Sequence, residues 1–84
     1  MEYVSESNIK RAIDAFNNSH TQPKVLLSIH AVLRRLKTDD MLIDYEQFET
    51  MCKELMIRLP IRDLELVFLS LLREENKLTV VSSN

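Results

Sequence analysis

Glycine is missing from all 84 residues of the chain. A glycine-rich phosphate loop and a dinucleotide fingerprint are thereby excluded, since both bring ligand against backbone that carries no side chain. Cysteine occurs once, at Cys52, so no internal disulfide can form and the thiol count leans toward a reducing compartment. No apolar run reaches the length of a membrane span, and the first residues lack the charged-then-apolar order of a signal peptide. A basic surplus is absent too. The formal net charge is −2, which speaks against nucleic acid as the default partner without excluding a local basic patch. Hydrophobic residues make up 45% of the chain, enough for one small core. No repeat, low-complexity segment or dividing linker occurs, so residues 1–84 read as a single domain.

Helical spacing dominates what is present. Residues 1–5 read as loose, with Ser5 as an N-cap whose hydroxyl would accept an orphan backbone N–H. Ile9, Ala12, Ile13 and Phe16 predict a first helix over roughly 6–17. Asn17, Asn18, Ser19 and His20 end it with turn chemistry. Pro23 precedes a second helix of about 23–37, whose stripe is Val25, Ile29, Val32, Leu33 and Leu36, widened by Leu26 and Leu27. Thr38 to Asp40 form a connector, and Met41 to Ile43 a minimal strand. Asp44 and Gln47 have the spacing of a capping box at the head of a third helix. Its buried face would be Phe48, Met51, Cys52 and Leu55, with Cys52 a core residue rather than a nucleophile. Pro60 is expected at the first position of a fourth helix that runs to about Glu75. Its stripe is Ile61, Leu64, Val67, Phe68, Leu71 and Leu72. Asn76 would then cap it, and the alternating, β-branched run Lys77 to Val81 reads as a second strand.

Two architectures fit this order. One is a mainly α winged helix of four helices with a minimal two-strand sheet, residues 1–22 forming an N-terminal helix and connector and 23–84 the core. The other is a degenerate pair of EF-hands, because IDYEQF resembles the exit of a calcium loop. Counting back from Ile43 places Leu36 at the start of that loop, Met41 at its glycine position and Gln47 at its end. A later loop would run from Arg73 to Asn84. Neither has the oxygen ligands that calcium needs, so this alternative survives only as a metal-free scaffold.

The segments SESNIKRAIDAF, PKVLLSIHAVLRRL, IDYEQFETMCKEL and LPIRDLELVFLSLLREENKLTVV together resemble the C-terminal winged-helix domain of AAA+ replication initiators. That family includes the large subunit of the origin recognition complex, the cell-division-cycle initiator ATPase, their archaeal relatives and a yeast heterochromatin-silencing paralogue. The first segment is similar to the helix closing the ATPase lid, the next two to the first and second winged-helix helices, and the last to the recognition helix and wing. The resemblance implies a nuclear role in chromatin or at replication origins. It carries over no catalytic residue, because the ATPase motifs belong to another domain. The chain departs from the family where Asn76 replaces a frequent glycine. It also ends after one wing strand, which suggests an incomplete wing or a fragment.

Which partner the domain takes turns on the fourth helix. With its stripe on the core, the opposite side carries Arg62, Glu65, Leu66, Leu69 and Arg73. Base reading favours Arg, Lys, Asn and Gln, whereas an apolar spot rimmed by charge is the anatomy of a protein interface. The expected interface is Met56, Ile57, Leu59, Arg62, Leu66, Leu69 and Arg73, with a protein partner that includes a second copy of the chain. The competing expectation is that Leu66 and Leu69 are core. DNA contact through Lys24, Arg34, Arg35, Lys37 and Lys77, with Arg62 and Arg73, is the alternative, and it would be salt-dependent. No enzyme activity, cofactor, metal or membrane partner is expected. His20 and His30 have no metal-spaced companions, and the paired acids Asp39-Asp40 and Glu74-Glu75 read as solvated connector and helix-end residues.

Overall fold

The computed structural model describes residues 2–19, 23–36 and 41–82, the last five as backbone alone. It is mainly helical, with four helices and a two-stranded antiparallel sheet. The order is β1 (Val4–Ser5), α1 (Glu6–Asn18), α2 (Lys24–Leu33), β2 (Leu42–Ile43), α3 (Tyr45–Glu54) and α4 (Ile61–Ser82). The helix count, the class and the small sheet are as the sequence predicts. The second strand is not.

Val4 pairs with Ile43 and Ser5 with Leu42. The residues expected to be loose are therefore the partner of β2, and Val4 is fully buried. Lys77 to Val81, read as the wing strand, are instead the last turns of α4. Asn76 accordingly caps nothing and lies inside the helix. The EF-hand alternative pairs Ile43 with Val80. Ile43 is a paired strand residue, but its partner is Val4, and Val80 lies in α4. Strand, helix, helix, strand is also the order in which two linked EF-hand loops pair, so β1–α1–α2–β2 fits that metal-free scaffold as well.

Local chemistry explains the helix starts. The Asp44 side chain accepts from the Gln47 N–H at 2.9 Å, and Gln47 Oε1 accepts from the Asp44 N–H at 3.1 Å, the reciprocal capping box read in the sequence. Pro60 stands one residue earlier than expected, just outside α4, where its carbonyl accepts from Leu64 at 3.1 Å. Ser5 occupies the N-cap position of α1, but its hydroxyl caps nothing within the helix. It donates instead to Glu75 Oε1 of α4 at 3.2 Å. The other end of α2 is closed by Arg11 of α1, which donates to the carbonyls of Ala31, at 2.8 Å, and Arg35. Both carbonyls lack helical partners at a C-terminus, so one guanidinium ties α1 to the end of α2.

One core collects the buried side chains: Ile9, Ala12, Ile13 and Phe16 from α1, Val32 from α2, Phe48 and Cys52 from α3, and Leu64, Val67, Phe68, Leu71 and Leu72 from α4, with Val4 and Ile43 from the sheet. Tyr45, Phe48 and Phe68 stack across the α3–α4 junction. Phe68 is 5.6 Å from each of the other two ring centres, edge-on to Tyr45. Four members of the predicted stripes face outward instead: Leu26, Leu33, Leu55 and Ile61. Each lies in or beside the first or last turn of a helix, where the apolar face has turned past the elements that would cover it.

Candidate protein-interaction surface

The seven residues expected to form one interface fall in two places. Arg62, Leu66, Leu69 and Arg73 lie at steps of four, three and four along α4, which puts them on one face, and all four are exposed. Leu66 and Leu69 are each 50% exposed, so they are not core. Glu65 lies exposed on the same side. The buried residues Leu64, Val67, Phe68 and Leu71 occupy the other side, and no element among the described residues covers the outer strip.

Met56, Ile57 and Leu59 belong to the turn between α3 and α4. Here the absence of glycine has a visible consequence. The Ile57 N–H donates to Cys52 O at 2.9 Å and the Met56 N–H to Lys53 O at 3.0 Å, the paired bonds of a Schellman end. That geometry requires a left-handed residue, and Met56 supplies it at φ 58°. Its side chain projects outward, 77% exposed. Ile57 and Leu59 turn inward against the core and are only half-buried, a correction to their reading as outward interface residues. With Phe16, Lys24 and Arg58 they line a cleft of about 240 Å³ beside the end of α1. Met56→Gly should raise stability by about 0.5–1 kcal/mol. Relief of a left-handed Cβ is worth about 1–2 kcal/mol, and the extra freedom of unfolded glycine returns part of it. Chemical denaturation of the two proteins measures the difference.

The described residues proposed to touch DNA are spread over α2, the segment after it and α4. Lys24 opens α2 and Arg34 caps its other end, with Arg35 beside it. The backbone carbonyl of Arg35 is engaged by Arg11. Lys77 is on α4 and pairs with Glu74 at 2.9 Å. Lys37 lies outside the described residues.

No protein-family model matches the chain, and neither do any curated protein or solved structure.

Sequence reasoning missed a groove where the N-terminal segment, the start of α3 and the middle of α4 meet. It measures about 450 Å³ and is open to solvent. Tyr45, Phe68 and Leu69 give it an apolar floor, and Glu2, Asp44, Glu46 and Glu65 stand around it with no Lys or Arg in its lining. The hydroxyl of Tyr45 is closed off from water and makes no hydrogen bond. Glu49, one turn along α3, stands beside it. Burial raises the Tyr45 phenol above its ordinary range, and the charges of Glu49 and Glu65 raise it further. The phenol therefore stays protonated in a negative field. The signal in the sequence was the run Asp44-Tyr45-Glu46, acids on both sides of an aromatic at a helix start. It was spent on the capping box.

Cys52 is buried as expected, and burial followed by the charge of Glu49 pushes its thiol up to about 11. It holds its proton at neutral pH and is a poor nucleophile. No set of three His, Cys, Asp or Glu side chains among the described residues is placed to hold a metal ion. No helix among them is long and apolar enough to cross a membrane.

Proposed function

We propose that this chain is a non-catalytic protein–protein interaction module whose docking element is the outer strip of α4. The observation that carries this reading is the pair of half-exposed leucines, Leu66 and Leu69, between Arg62 and Arg73 on a helix face that no described element covers. Steps of four and three residues form the seam through which two helices pack. The pattern is symmetric about its centre, which suits a second copy in antiparallel pairing, because a two-fold interface sets each patch against itself. Leu66 of one copy then meets Leu69 of the other. The same pairing brings Arg62 of one copy to Arg73 of the other, and Glu65, three residues from Arg62, supplies the counter-charge there.

The cellular setting rests on the resemblance to replication-initiator winged-helix domains. It supports a nuclear assembly at chromatin or replication origins as the place where such a module would work. The buried, protonated Cys52 supports the non-catalytic part of the reading.

Molecular mass measured over a concentration series by sedimentation tests it. The native chain should pass from monomer to dimer. The double variant Leu66→Asp/Leu69→Asp should weaken association at least tenfold, about 1.4 kcal/mol, since central apolar contacts carry most of an interface's energy. Its helicity by circular dichroism should stay unchanged, because both side chains already face water. A native chain that stays monomeric at every concentration removes the second copy as the occupant.

A further inference from the structure

The groove beside the α4 strip shares Leu69 and Glu65 with it, and its chemistry specifies an occupant. We propose that the groove formed by Tyr45, Phe68 and Leu69 and walled by Glu2, Asp44, Glu46 and Glu65 binds a cationic amphipathic helix of a partner protein. This inference rests on the interaction-module reading and names the chemistry of a partner for it.

Charge carries the argument. Four carboxylate side chains line one groove and no cation does. Three acids elsewhere are matched locally, Glu6 by Lys10, Glu49 by Lys53 and Glu74 by Lys77, while Asp14, Glu54 and Asp63 are scattered singly over α1, α3 and α4. Glu2, Glu46 and Glu65 take part in no ion pair among the described residues, and all three are exposed. A concave site with low-dielectric walls and one sign of charge concentrates the opposite sign. The negative field continues past Glu46, which also borders a second hollow lined by Glu6, Met41, Met51 and Glu54. An occupant lying along α3 would thus meet acids on both sides of Glu46.

The apolar floor excludes a purely ionic guest. Phe68 is buried beneath, while Leu69 is half exposed and Tyr45 partly so. They present a surface for a leucine or aromatic side chain, and the part-exposed Tyr45 ring can take an arginine or lysine across its face. A ring face and a carboxylate rim both favour cations, and helical spacing lets one face of a guest present apolar and basic side chains together.

The test uses a fluorescently labelled peptide of about four helical turns, made of leucine and lysine in amphipathic register, and a counterpart with glutamate for lysine. Fluorescence anisotropy against the whole chain should show binding of the lysine peptide, weakened by added salt, and none of the glutamate peptide. Glu46→Gln/Glu65→Gln alters only exposed side chains and should weaken binding about tenfold, the size expected when two exposed charges are lost. Leu69→Asp separates docking from bulk attraction. It should also weaken binding, although it adds negative charge. Leu66→Asp, outside the groove, should disrupt self-association without weakening peptide binding, and it frees the shared Leu69 and Glu65 for the peptide. Chemical-shift changes on peptide addition should centre on Tyr45, Glu46 and Leu69. Equal binding by the Glu46→Gln/Glu65→Gln protein, undiminished binding by Leu69→Asp, or loss of binding in folded Leu66→Asp would each overturn the groove as the site. A chain that dimerises but binds no lysine peptide keeps the α4 strip and loses this inference. A chain that binds the peptide in the groove while staying monomeric does the reverse.

Discussion

Glu75→Ala should cost the fold about 3–5 kcal/mol, read as a fall in the urea midpoint with the slope unchanged. The side chain is buried on α4 and holds the start of α1 from across the domain. Its Oε2 accepts from the Ser5 N–H at 3.0 Å and from the Asn8 amide at 2.7 Å, and its Oε1 accepts from the Ser5 hydroxyl at 3.2 Å. Ser5 and Asn8 are themselves buried. Removing the carboxylate strands three donors away from water, and each buried donor left without a partner costs about 1–3 kcal/mol. A carboxylate at the start of a helix also gains from the helix dipole, so the charge is well placed where it is. A chain of this length has roughly 4–13 kcal/mol of total stability, and the variant would lose a large part of it. Glu75→Gln separates charge from shape. It keeps one acceptor but sets an NH₂ group against the donors of Ser5 and Asn8, so it should be destabilising as well. A double-mutant cycle with Asn8→Ala should show coupling of about 0.5–3 kcal/mol, because removing Asn8 takes away one of the stranded donors.

That carboxylate also marks where the sequence was legible and where it was not. The four helices follow from spacing, because an apolar face must repeat with the helical turn to be buried. The Asp44–Gln47 box and the buried Cys52 follow from local chemistry and position. Glu74-Glu75 was read as a solvated pair at a helix end. Yet position 75 falls in register with Leu64, Phe68 and Leu71, on the face that turns inward, and Glu74 pairs with Lys77. The register alone distinguished the two acids. The sheet was harder. A two-residue strand has no period to detect, so nothing local marks Val4–Ser5 as the partner of Leu42–Ile43. Thr79, Val80 and Val81 favour a strand by propensity, but they follow a helix anchored at Glu75. Extending an existing helix fixes one residue per hydrogen bond, whereas a new strand must find an edge. Of the candidate interface, the α4 strip was legible because exposure is the complement of a periodic core. The acidic groove was not, because Glu2, Glu46 and Glu65 come together only through the docking of three separate segments.

Phe68→Ala should be comparably severe, about 3–5 kcal/mol, and is more informative when set beside Phe48→Ala. Both rings are buried and 5.6 Å apart, and both touch Tyr45, at 5.6 Å from Phe68 and 6.1 Å from Phe48. Truncating either removes apolar area, leaves a cavity and breaks two ring contacts, each worth about 0.5–1.5 kcal/mol beyond burial. Stability loss should therefore be similar. Binding should not be. Phe68 forms part of the groove floor and makes the closer contact with Tyr45, whereas Phe48 does not line the groove. Measured at low temperature and corrected for the folded fraction, affinity for the leucine–lysine peptide should fall in Phe68→Ala and hold in Phe48→Ala. Phe68→Leu keeps most of the volume without the ring. It should recover most of the stability, and recovery of peptide binding with it would mean that the floor acts through shape rather than through aromatic contact with the guest's cations. Equal loss of affinity in the Phe48 and Phe68 variants would mean that the peptide senses the packing of the α3–α4 junction as a whole.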